Sequence, residues 1–306
     1  MYWLELAVQV HPDAVESVSE LLSRYTSEGV VIEEPIELID EGQEYRVLSG
    51  KPVHVRAYVP IDGKEEEARQ RVEEGLWHFS SLGAHFVGKL ETRTVNEEDW
   101  ANAWKEYFHV THIGKRLVIR PSWREYTSKS GEVVLTLDPG MAFGTGLHPT
   151  TRMCLEQLEQ RVRPGMRVLD VGTGSGILSI VAALLGAESV YAIDNSSVAA
   201  ESATANVALN GLSERIKVVL GLLDDAEAAR MAGQYDLVVA NIIAHVIGSI
   251  APQLARVMAP GGLLIASGII EARRQDAEGP LREAGLELVE QVMIEDWLAL
   301  IWRKRE

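Results

Sequence analysis

The 306-residue sequence predicts two domains, a small α+β domain followed by a larger α/β domain with a mostly parallel sheet. In the first 95 residues the expected elements follow the order βαββαβ, which is typical of a ferredoxin-like domain. From Arg152 onward, helical segments alternate regularly with apolar segments of strand length, which indicates a doubly wound sheet. Both patterns occur in proteins of many functions, so the fold class alone assigns no chemistry.

In the first domain, apolar alternation predicts the strands, and charge pairs at helical spacing support the second helix. Pro12 suits the first turn of the first helix. The expected strands cover residues 2–10, 29–39, 52–59 and 85–95, and the expected helices cover residues 12–25 and 64–81.

A further helix is expected to begin at Asn96, which is a good cap and is followed by acidic residues. Aromatic residues recur in this helix at helical spacing. We expect it to join the domains. Residues 1–95 then form the first domain, residues 96–115 the connection and residues 116–306 the second domain.

The second domain begins with a strand pair and then alternates between helix and strand. Its last two strands follow each other directly, which suggests an antiparallel edge of the sheet. The expected strands cover residues 113–121, 132–137, 167–171, 189–193, 216–220, 235–240, 262–267, 286–294 and 297–303, and the expected helices include residues 152–161, 177–185 and 198–209.

A glycine-rich turn follows the strand that ends at residue 171, and it contains Gly172, Gly174 and Gly176. Glycine adopts positive φ and lets backbone amides approach a ligand that any Cβ would hold away. Asp194 follows 22 residues after Gly172, at the end of the next strand, where a carboxylate can bind two ribose hydroxyls. The dinucleotide fingerprint needs another glycine where this chain has Ile177. The spacing therefore predicts a nucleoside site without a pyrophosphate.

Residues 138–151 contain three glycines and two prolines and are expected to form neither strand nor helix. A run of this kind suits a flap over a ligand, and it ends where Thr150 or Thr151 can cap the helix expected from Arg152. Capping alone explains the threonines equally well. His148 is either a catalytic candidate, because its pKa lies near neutrality, or a structural hydrogen-bonding residue.

Asn241 closes the apolar strand 235–240, at the edge of the sheet where open α/β sheets bind ligands. Asn241-Ile-Ile-Ala244 resembles the Asn-Pro-Pro-Tyr motif of amino-group methyltransferases, in which the Asn amide oxygen holds the nitrogen to be methylated. Ala244 stands where enzymes that act on nucleobases have a stacking aromatic ring. The motif therefore favours a flexible aliphatic amine, with Asn241 as the catalytic residue. A simple strand cap is the alternative.

The net charge of −16 argues against a partner that is bound through its phosphates, and we expect no nucleic-acid partner. Residues 1–95 hold 18 acidic and 9 basic residues, so the first domain would attract a basic protein. Solubility explains the charge equally well.

The single cysteine, Cys154, excludes an intramolecular disulfide and a cysteine-rich zinc site, and we expect no bound metal. No apolar run approaches the length of a membrane span, and the N-terminus lacks the features of a signal peptide. We therefore expect a cytoplasmic chain that does not act at a membrane.

Taken together, these motifs resemble the ribosomal protein L11 methyltransferase family over nearly the whole chain. The features that carry the resemblance are the run 138–151, the turn at Asp170 to Gly176, Asp194, the motif at Asn241, the helix with Trp100 and Trp104, and Pro260-Gly-Gly-Leu-Leu264. The resemblance implies a monomer with a Rossmann-like S-adenosylmethionine-dependent methyltransferase domain, preceded by a domain that recognises the ribosomal protein.

By motif match, the resemblance also implies roles for individual residues. Thr151, Gly172, Asp194 and Asn241 would contact S-adenosylmethionine, with Phe143, His148 and Gly174 close to it. The implied substrate is a basic ribosomal protein at the base of the large-subunit stalk, methylated on lysine ε-amines and on the N-terminal α-amine. Relatives more often have an Ile-Asp-Pro-like stretch where this chain has Asn195-Ser-Ser197.

On the residues alone, other functions stay open. A methyltransferase that acts on RNA or on another amine is the nearest alternative, although the acidic charge and Ala244 argue against RNA. A nicotinamide-dependent oxidoreductase is disfavoured by Ile177. A non-catalytic binding module is disfavoured by Asn241 and by the run 138–151, because a scaffold needs neither.

Overall fold

The computed structural model describes residues 2–26, 30–33, 35–39, 44–48, 51–81, 87–96, 109–138, 146 and 148–305. The chain forms two compact units, Met1–His109 and Val110–Glu306. The helix expected after residue 96 and the side chain of Phe143 lie outside the described residues. Asn96, which was expected to cap that helix, is the last residue of a strand and pairs with Tyr2.

The first unit has the ferredoxin-like arrangement that its element order predicts. Its strands are β1 (Tyr2–Val10), β2 (Val30–Glu33), β3 (Ile36–Ile39), β4 (Glu44–Val47), β5 (Val53–Pro60) and β6 (Val87–Asn96), and its helices are α1 (Val15–Ser23) and α2 (Glu65–Ser81). Within the described residues, an antiparallel sheet has the order β2-β5-β1-β6. Apolar side chains of α1 and α2 cover one face of this sheet and form the core.

Two details of the first unit differ from the expectation. Residues 29–39 were expected to form one strand, but Pro35 interrupts them because it has no N–H to donate to a sheet ladder. Strand β3 pairs instead with β4, which was not expected, in a separate antiparallel pair. The first helix is shorter than expected, because Pro12–Ala14 forms a 3-10 turn before α1 begins.

The second unit alternates between strands and helices. Its strands are β7 (Thr111–Ile113), β8 (Leu117–Pro121), β9 (Val133–Leu137), β10 (Arg167–Val171), β11 (Ser189–Asp194), β12 (Ile216–Leu220), β13 (Tyr235–Asn241), β14 (Met258–Ile270), β15 (Leu286–Ile294) and β16 (Trp297–Lys304). Its helices are α3 (Pro149–Arg161), α4 (Ile177–Leu184), α5 (Ser197–Leu209), α6 (Asp225–Arg230), α7 (Ala244–Ser249), α8 (Ala251–Val257) and α9 (Arg274–Glu283). No helix in the described part of either unit is long and apolar enough to cross a bilayer.

One large sheet organises the described residues of the second unit, with the order β12-β11-β10-β13-β14-β16-β15. Neighbouring strands are parallel from β12 to β14, and β16 runs antiparallel between β14 and β15. The mostly parallel α/β sheet and its antiparallel edge are therefore confirmed. The chain leaves β10 towards β11 on one side and returns at β13 on the other, which makes the ends of β10 and β13 a switch point that favours ligand binding.

Strands β7, β8 and β9 form a smaller sheet beside this one. Residues 113–121 were expected to form a single strand, but Gly114, with a φ of +62°, makes a turn that separates β7 from β8. Strand β8 pairs with β9 in parallel, so the expected strand pair is present.

Strand β14 passes very close to the backbone that follows β13. Gly268 has a φ of +80°, and a Cβ on this residue would lie 2.5 Å from the carbonyl oxygen of Ile242. Backbone cannot yield to such a contact without displacing the end of β13. Position 268 therefore requires glycine both for its left-handed φ and for the close approach.

We predict that Gly268→Ala destabilises the protein more than Gly131→Ala does. Gly131 has a similar φ of +87°, but a Cβ there would meet nothing within 4 Å. A left-handed φ costs an alanine about 1 kcal/mol, and the contact at position 268 should add roughly 1–3 kcal/mol. Urea unfolding of both variants measures the difference. Equal losses would show that the close approach does not constrain the fold.

Candidate functional site

The glycine turn after β10 is held by hydrogen bonds to the neighbouring strand. Gly172, Gly174 and Gly176 have φ angles of +75°, +55° and +83°, which only glycine adopts without strain. The N–H groups of Gly172 and Thr173 donate to the carbonyl oxygen of Ile193 in β11, at 2.8 and 3.3 Å. The turn that the glycine spacing predicts is thus present, at the switch point of the large sheet.

Asp194 ends β11 and binds the turn through its carboxylate. Its Oδ2 atom accepts a hydrogen bond from the N–H of Gly174, and its Oδ1 atom accepts one from the N–H of Ser196, each at 2.9 Å. A carboxylate oxygen has two lone pairs, so each oxygen can accept a further hydrogen bond from a ligand. The backbone therefore orients Asp194 and leaves it able to bind two hydroxyls. Ser196 also caps α5, by accepting from the N–H of Ala199 at 3.3 Å.

Asp170 lies fully buried near the end of β10, directly before the turn. Its Oδ2 atom accepts hydrogen bonds from the hydroxyls of Thr173 and Ser179, at 2.7 and 2.6 Å. Its Oδ1 atom is buried and accepts none from the residues that the structure describes. Burial raises the pKa of Asp170 to about 6, and the charge of Asp194 adds to the rise, although the two hydroxyls oppose it. A buried carboxylate oxygen without a partner is a binding group for a cation.

Helix α3 begins three residues earlier than expected, and His148 caps it. The Nδ1 atom of His148 accepts a hydrogen bond from the N–H of Thr150 at 3.3 Å and lies 2.8 Å from the hydroxyl oxygen of the same residue. Pro149 takes the first helical position, for which its fixed φ is suited. Thr150 and Thr151 therefore lie buried inside the first turn. The expectation that one of them caps the helix is wrong.

The environment of His148 favours its structural interpretation. Because Nδ1 accepts a hydrogen bond from the backbone, a neutral ring carries its proton on Nε2. Burial lowers the pKa of His148, against a smaller opposite effect of Glu295, so the neutral form persists to pH values below the ordinary titration range of histidine. The ring also stands edge-on to Trp297, with centroids 4.8 Å apart. These contacts hold the ring in place as a helix cap. Nδ1, the unprotonated nitrogen that would act as a base, already accepts the hydrogen bond of the cap.

Asn241 ends β13, the strand next to β10. Its Nδ2 atom donates to the hydroxyl oxygen of Thr151 at 3.3 Å, which orients the amide group. Its Oδ1 atom is buried, and none of the described residues donates to it. Two residues further on, Ile243 is 57% exposed, whereas Ala244 is buried. An oriented carbonyl oxygen without a partner is a binding group for a donor such as an amine N–H.

A cavity of about 310 Å³ lies at the carboxyl edge of the sheet. The expected site residues that line it are Thr151, Gly172, Gly174, Asp194 and Asn241. His148 precedes the helix that carries Thr151, and Phe143 lies outside the described residues. The structure thus brings together most of the residues that the motifs singled out.

Asp170 belongs to the turn motif in the sequence, and no binding role was expected of it. Its position two residues before Gly172 was the available signal. The missing information was that Asp170 is buried with one unpaired oxygen, which depends on the packing of the whole sheet. The apolar residues Val198 and Ile242 also line the cavity and were not singled out, because nothing in their local sequence sets them apart from core residues.

The acceptors that line the cavity, together with the buried carboxylate of Asp170 two residues before Gly172, fit a nucleoside that carries a positive charge and lacks a pyrophosphate. Asp194 offers two oriented acceptors for a ribose, and Oδ1 of Asp170 offers a buried acceptor for an ammonium group. Ile177 begins α4 at the position where a pyrophosphate site needs glycine. S-adenosylmethionine combines a ribose, an ammonium group and a sulfonium, and it has no phosphate. The fold and the site are those of an S-adenosylmethionine-dependent methyltransferase.

Comparison with known proteins gives the family. The model of the family described as Ribosomal protein L11 methyltransferase matches residues 2–305. The chain is 45% identical to the ribosomal protein L11 methyltransferase of Chloroflexus aurantiacus, over 99% of this chain and 98% of that protein. It is 41% identical to that of Bacillus subtilis, over 99% of this chain and 100% of that protein. The chain therefore belongs to the ribosomal protein L11 methyltransferase family.

A solved structure agrees with this assignment. The crystal structure of a ribosomal protein L11 methylase from Lactobacillus delbrueckii subsp. bulgaricus superposes with a TM-score of 0.59 at 34% identity. The match covers 65% of this chain and 100% of that chain.

We predict that Asp170→Asn gains stability relative to the unchanged protein as the pH rises from about 4 to about 8. The pKa of Asp170 is about 6 in the folded protein and lies at about 4 in an unfolded chain. Folding therefore favours the protonated carboxyl, so the unchanged protein loses stability as the pH rises from the unfolded pKa to the folded pKa, and the loss is complete above the folded pKa. Asparagine has no charge to bury. Melting temperatures across this pH range measure the effect.

The same variant tests the binding role of Asp170. Asparagine cannot offer a negative charge to an ammonium group, so S-adenosylmethionine should bind about tenfold more weakly or worse. Calorimetry at pH values well above the folded pKa measures this affinity. If the stability difference between Asp170→Asn and the unchanged protein does not change with pH, Asp170 does not ionise as described. If the variant binds S-adenosylmethionine with unchanged affinity, Asp170 does not contribute to the binding site.

Proposed function

We propose that the protein transfers methyl groups to amino nitrogens of ribosomal protein L11, on lysine ε-amines and on the N-terminal α-amine. The observation that carries the proposal is the buried, unpaired Oδ1 atom of Asn241 in the cofactor cavity. Family membership over residues 2–305 supports the ribosomal protein as the substrate. With such a substrate the enzyme works in the cytoplasm, as a monomer that meets its partner at the base of the large-subunit stalk.

The cofactor would be held by the glycine turn and by the carboxylates of Asp170 and Asp194. Asp194 would bind the ribose, Asp170 the ammonium group, and the backbone of Gly172 and Gly174 would allow the ligand to approach closely. When bound, S-adenosylmethionine supplies a methyl group activated by the sulfonium. Thr151 contributes by fixing the amide of Asn241 through its hydroxyl.

Asn241 would orient the acceptor amine. Its Oδ1 atom accepts one N–H of the neutral amine and so directs the nitrogen lone pair away from the strand and into the cavity. Because the amide is already oriented by Thr151, little reorganisation is needed when the amine binds. The rate acceleration then comes mainly from holding the amine nitrogen in the orientation that the methyl transfer needs.

The amine must lose a proton before it can attack. Lysine has a reference pKa of about 10.4, so roughly one molecule in a few thousand is neutral at pH 7. Among the described groups near the cavity, Asp170 and Asp194 are assigned to the cofactor, and Nδ1 of His148 holds the helix cap. We therefore assign deprotonation to desolvation, which lowers the pKa of an amine, with the proton leaving to water.

The region after Asn241 favours an aliphatic amine over a nucleobase. The fourth residue of the motif, Ala244, is small and buried, so it offers no ring on which a base could stack. The neighbouring Ile243 presents an exposed aliphatic side chain that suits the stem of a lysine. This supports a protein substrate rather than RNA.

Residues 1–95 would recognise the ribosomal protein. They form most of the first compact unit, and their 18 acidic against 9 basic residues complement a basic partner.

We predict that the KM for the intact ribosomal protein rises several-fold when salt is increased from about 0.05 to about 0.5 M, because screening weakens the attraction between the acidic first domain and the basic substrate. The KM for a short lysine peptide serves as the control. An equal rise of KM for both substrates would contradict an electrostatic role of this domain.

We predict that Asn241→Ala lowers kcat about 100-fold or more while changing the KM for the ribosomal protein much less. The alanine removes the acceptor that orients the amine in the transition state, whereas docking depends on other surfaces. Asn241→Asp should also be slow, because a carboxylate stabilises the protonated amine, and it should recover as the pH rises towards the lysine pKa. Single-turnover methylation of purified L11, read by mass spectrometry, measures both.

Cofactor affinity of the two variants is the matched control, because Asn241 also lines the cofactor cavity. If both variants lose only affinity and regain the full rate at saturating S-adenosylmethionine, Asn241 binds the cofactor and does not orient the amine.

A further inference from the structure

Asn206 joins two segments of the catalytic unit that are far apart in sequence. The residue lies in α5 and is 1% exposed. Its Oδ1 atom accepts from the N–H of Asp138 at 2.8 Å, and its Nδ2 atom donates to the carbonyl oxygens of Asp138 and of Ser175, each at 2.9 Å. Asp138 directly follows β9 and opens the glycine- and proline-rich run, and Ser175 lies inside the glycine turn. One buried amide thus uses all its hydrogen-bonding groups to connect the turn with the end of β9.

Asn210, one helical turn later, makes almost the same pairing without touching the glycine turn. Its Oδ1 atom accepts from the N–H of Thr136 at 2.9 Å, and its Nδ2 atom donates to the carbonyl oxygen of Thr136 at 2.7 Å. The remaining N–H of Asn210 donates to the carbonyl oxygen of Asn206, at 2.8 Å. Both asparagines therefore pair with the backbone on the edge of β9, at positions two residues apart. The bond to Ser175 is what distinguishes them.

Helix α5 also supports the glycine turn by direct packing. A Cβ on Gly176 would lie 3.2 Å from Cα and Cβ of Ala203, so the helix backbone approaches the turn closely. Ala203 lies three residues before Asn206 and therefore on the same side of α5. The turn is thus held from this side by the close approach of α5 to Gly176 and by the hydrogen bond from Asn206 to Ser175, and Asp194 holds it through the N–H of Gly174.

We propose that Asn206 is a positioning residue of the cofactor site, which acts through the carbonyl of Ser175 to hold the turn in its binding conformation. The inference rests on the proposed function of this turn and adds a residue that does not line the cavity. Because its amide is fully satisfied and buried, Asn206 orders the turn before the ligand arrives, which reduces the ordering that binding would otherwise require.

Calorimetric titration with S-adenosylmethionine of the full chain and of its variants Asn206→Ala and Asn210→Ala tests the proposal. We expect similar losses of melting temperature for the two variants, since each loses a paired amide on β9. We expect the Kd for the cofactor to rise about tenfold or more for Asn206→Ala and less than about twofold for Asn210→Ala, because supporting residues commonly tune a site by this amount. Should Asn206→Ala fail to fold, Asn206→Ser replaces it, because the shorter hydroxyl cannot span both segments.

The outcomes are distinct. Equal Kd values for the Asn206 and Asn210 variants, at equal losses of melting temperature, would make Asn206 a structural residue and overturn the inference. Failure of the unchanged protein to bind S-adenosylmethionine would instead overturn the proposed function. A larger rise of Kd for Asn206→Ala, with kcat at saturating cofactor nearly unchanged, is the result that supports a positioning role.

Discussion

The absence of a side chain at Gly172, Gly174 and Gly176, in the turn between β10 and α4, is the constraint on which the rest of the site depends. A Cβ on Gly172 would lie 2.4 Å from a methyl carbon of Ile242, and a Cβ on Gly176 would lie 3.2 Å from Ala203. The segment after β13 and helix α5 can therefore approach the turn closely only because residues 172 and 176 are glycine. This approach brings Asn241 to the same cavity as Asp194 and so places the expected methyl acceptor beside the cofactor site.

Two polar atoms of the site lower the stability of the folded protein. Oδ1 of Asp170 and Oδ1 of Asn241 are both buried without a partner among the described residues, and such atoms lose their hydration without a compensating bond. Asn241 lines the cavity, and Asp170 lies two residues before Gly172, which also lines it. A cationic cofactor and an amine would supply the missing donors. We interpret the two orphaned oxygens as stability given up for binding, as is common at functional sites.

Much of the fold follows from local sequence. The central strand β10 of the parallel sheet is buried and appears as a short apolar run, so it was predicted with the bounds that the structure shows. The bounds of the antiparallel edge strand β15 were also predicted, although most of its residues are at least partly exposed. Errors arose where one residue changes the local geometry, as Pro35 and Gly114 do by dividing expected strands. The start of α3 was misplaced because threonine is the commoner cap, although Pro149 was a signal for the earlier start.

The candidate site was predictable only in part. The spacing of Gly172 and Asp194 and the strand-end position of Asn241 are local signals, and the structure brings these residues to one cavity. The raised pKa of Asp170 and the contacts of Asn206 depend on burial and on segments up to 68 residues apart, which no local pattern encodes.

The central claim is methyl transfer to amino groups of ribosomal protein L11. Mass spectrometry of the ribosomal proteins and ribosomal RNA from a strain that lacks this gene tests it most directly, with the parent strain as reference. We predict that L11 loses mass in whole methyl increments, from lysine residues and from its N-terminus, while the other ribosomal proteins and the RNA are unchanged. An unchanged L11 together with missing methyl groups on the RNA would contradict the account.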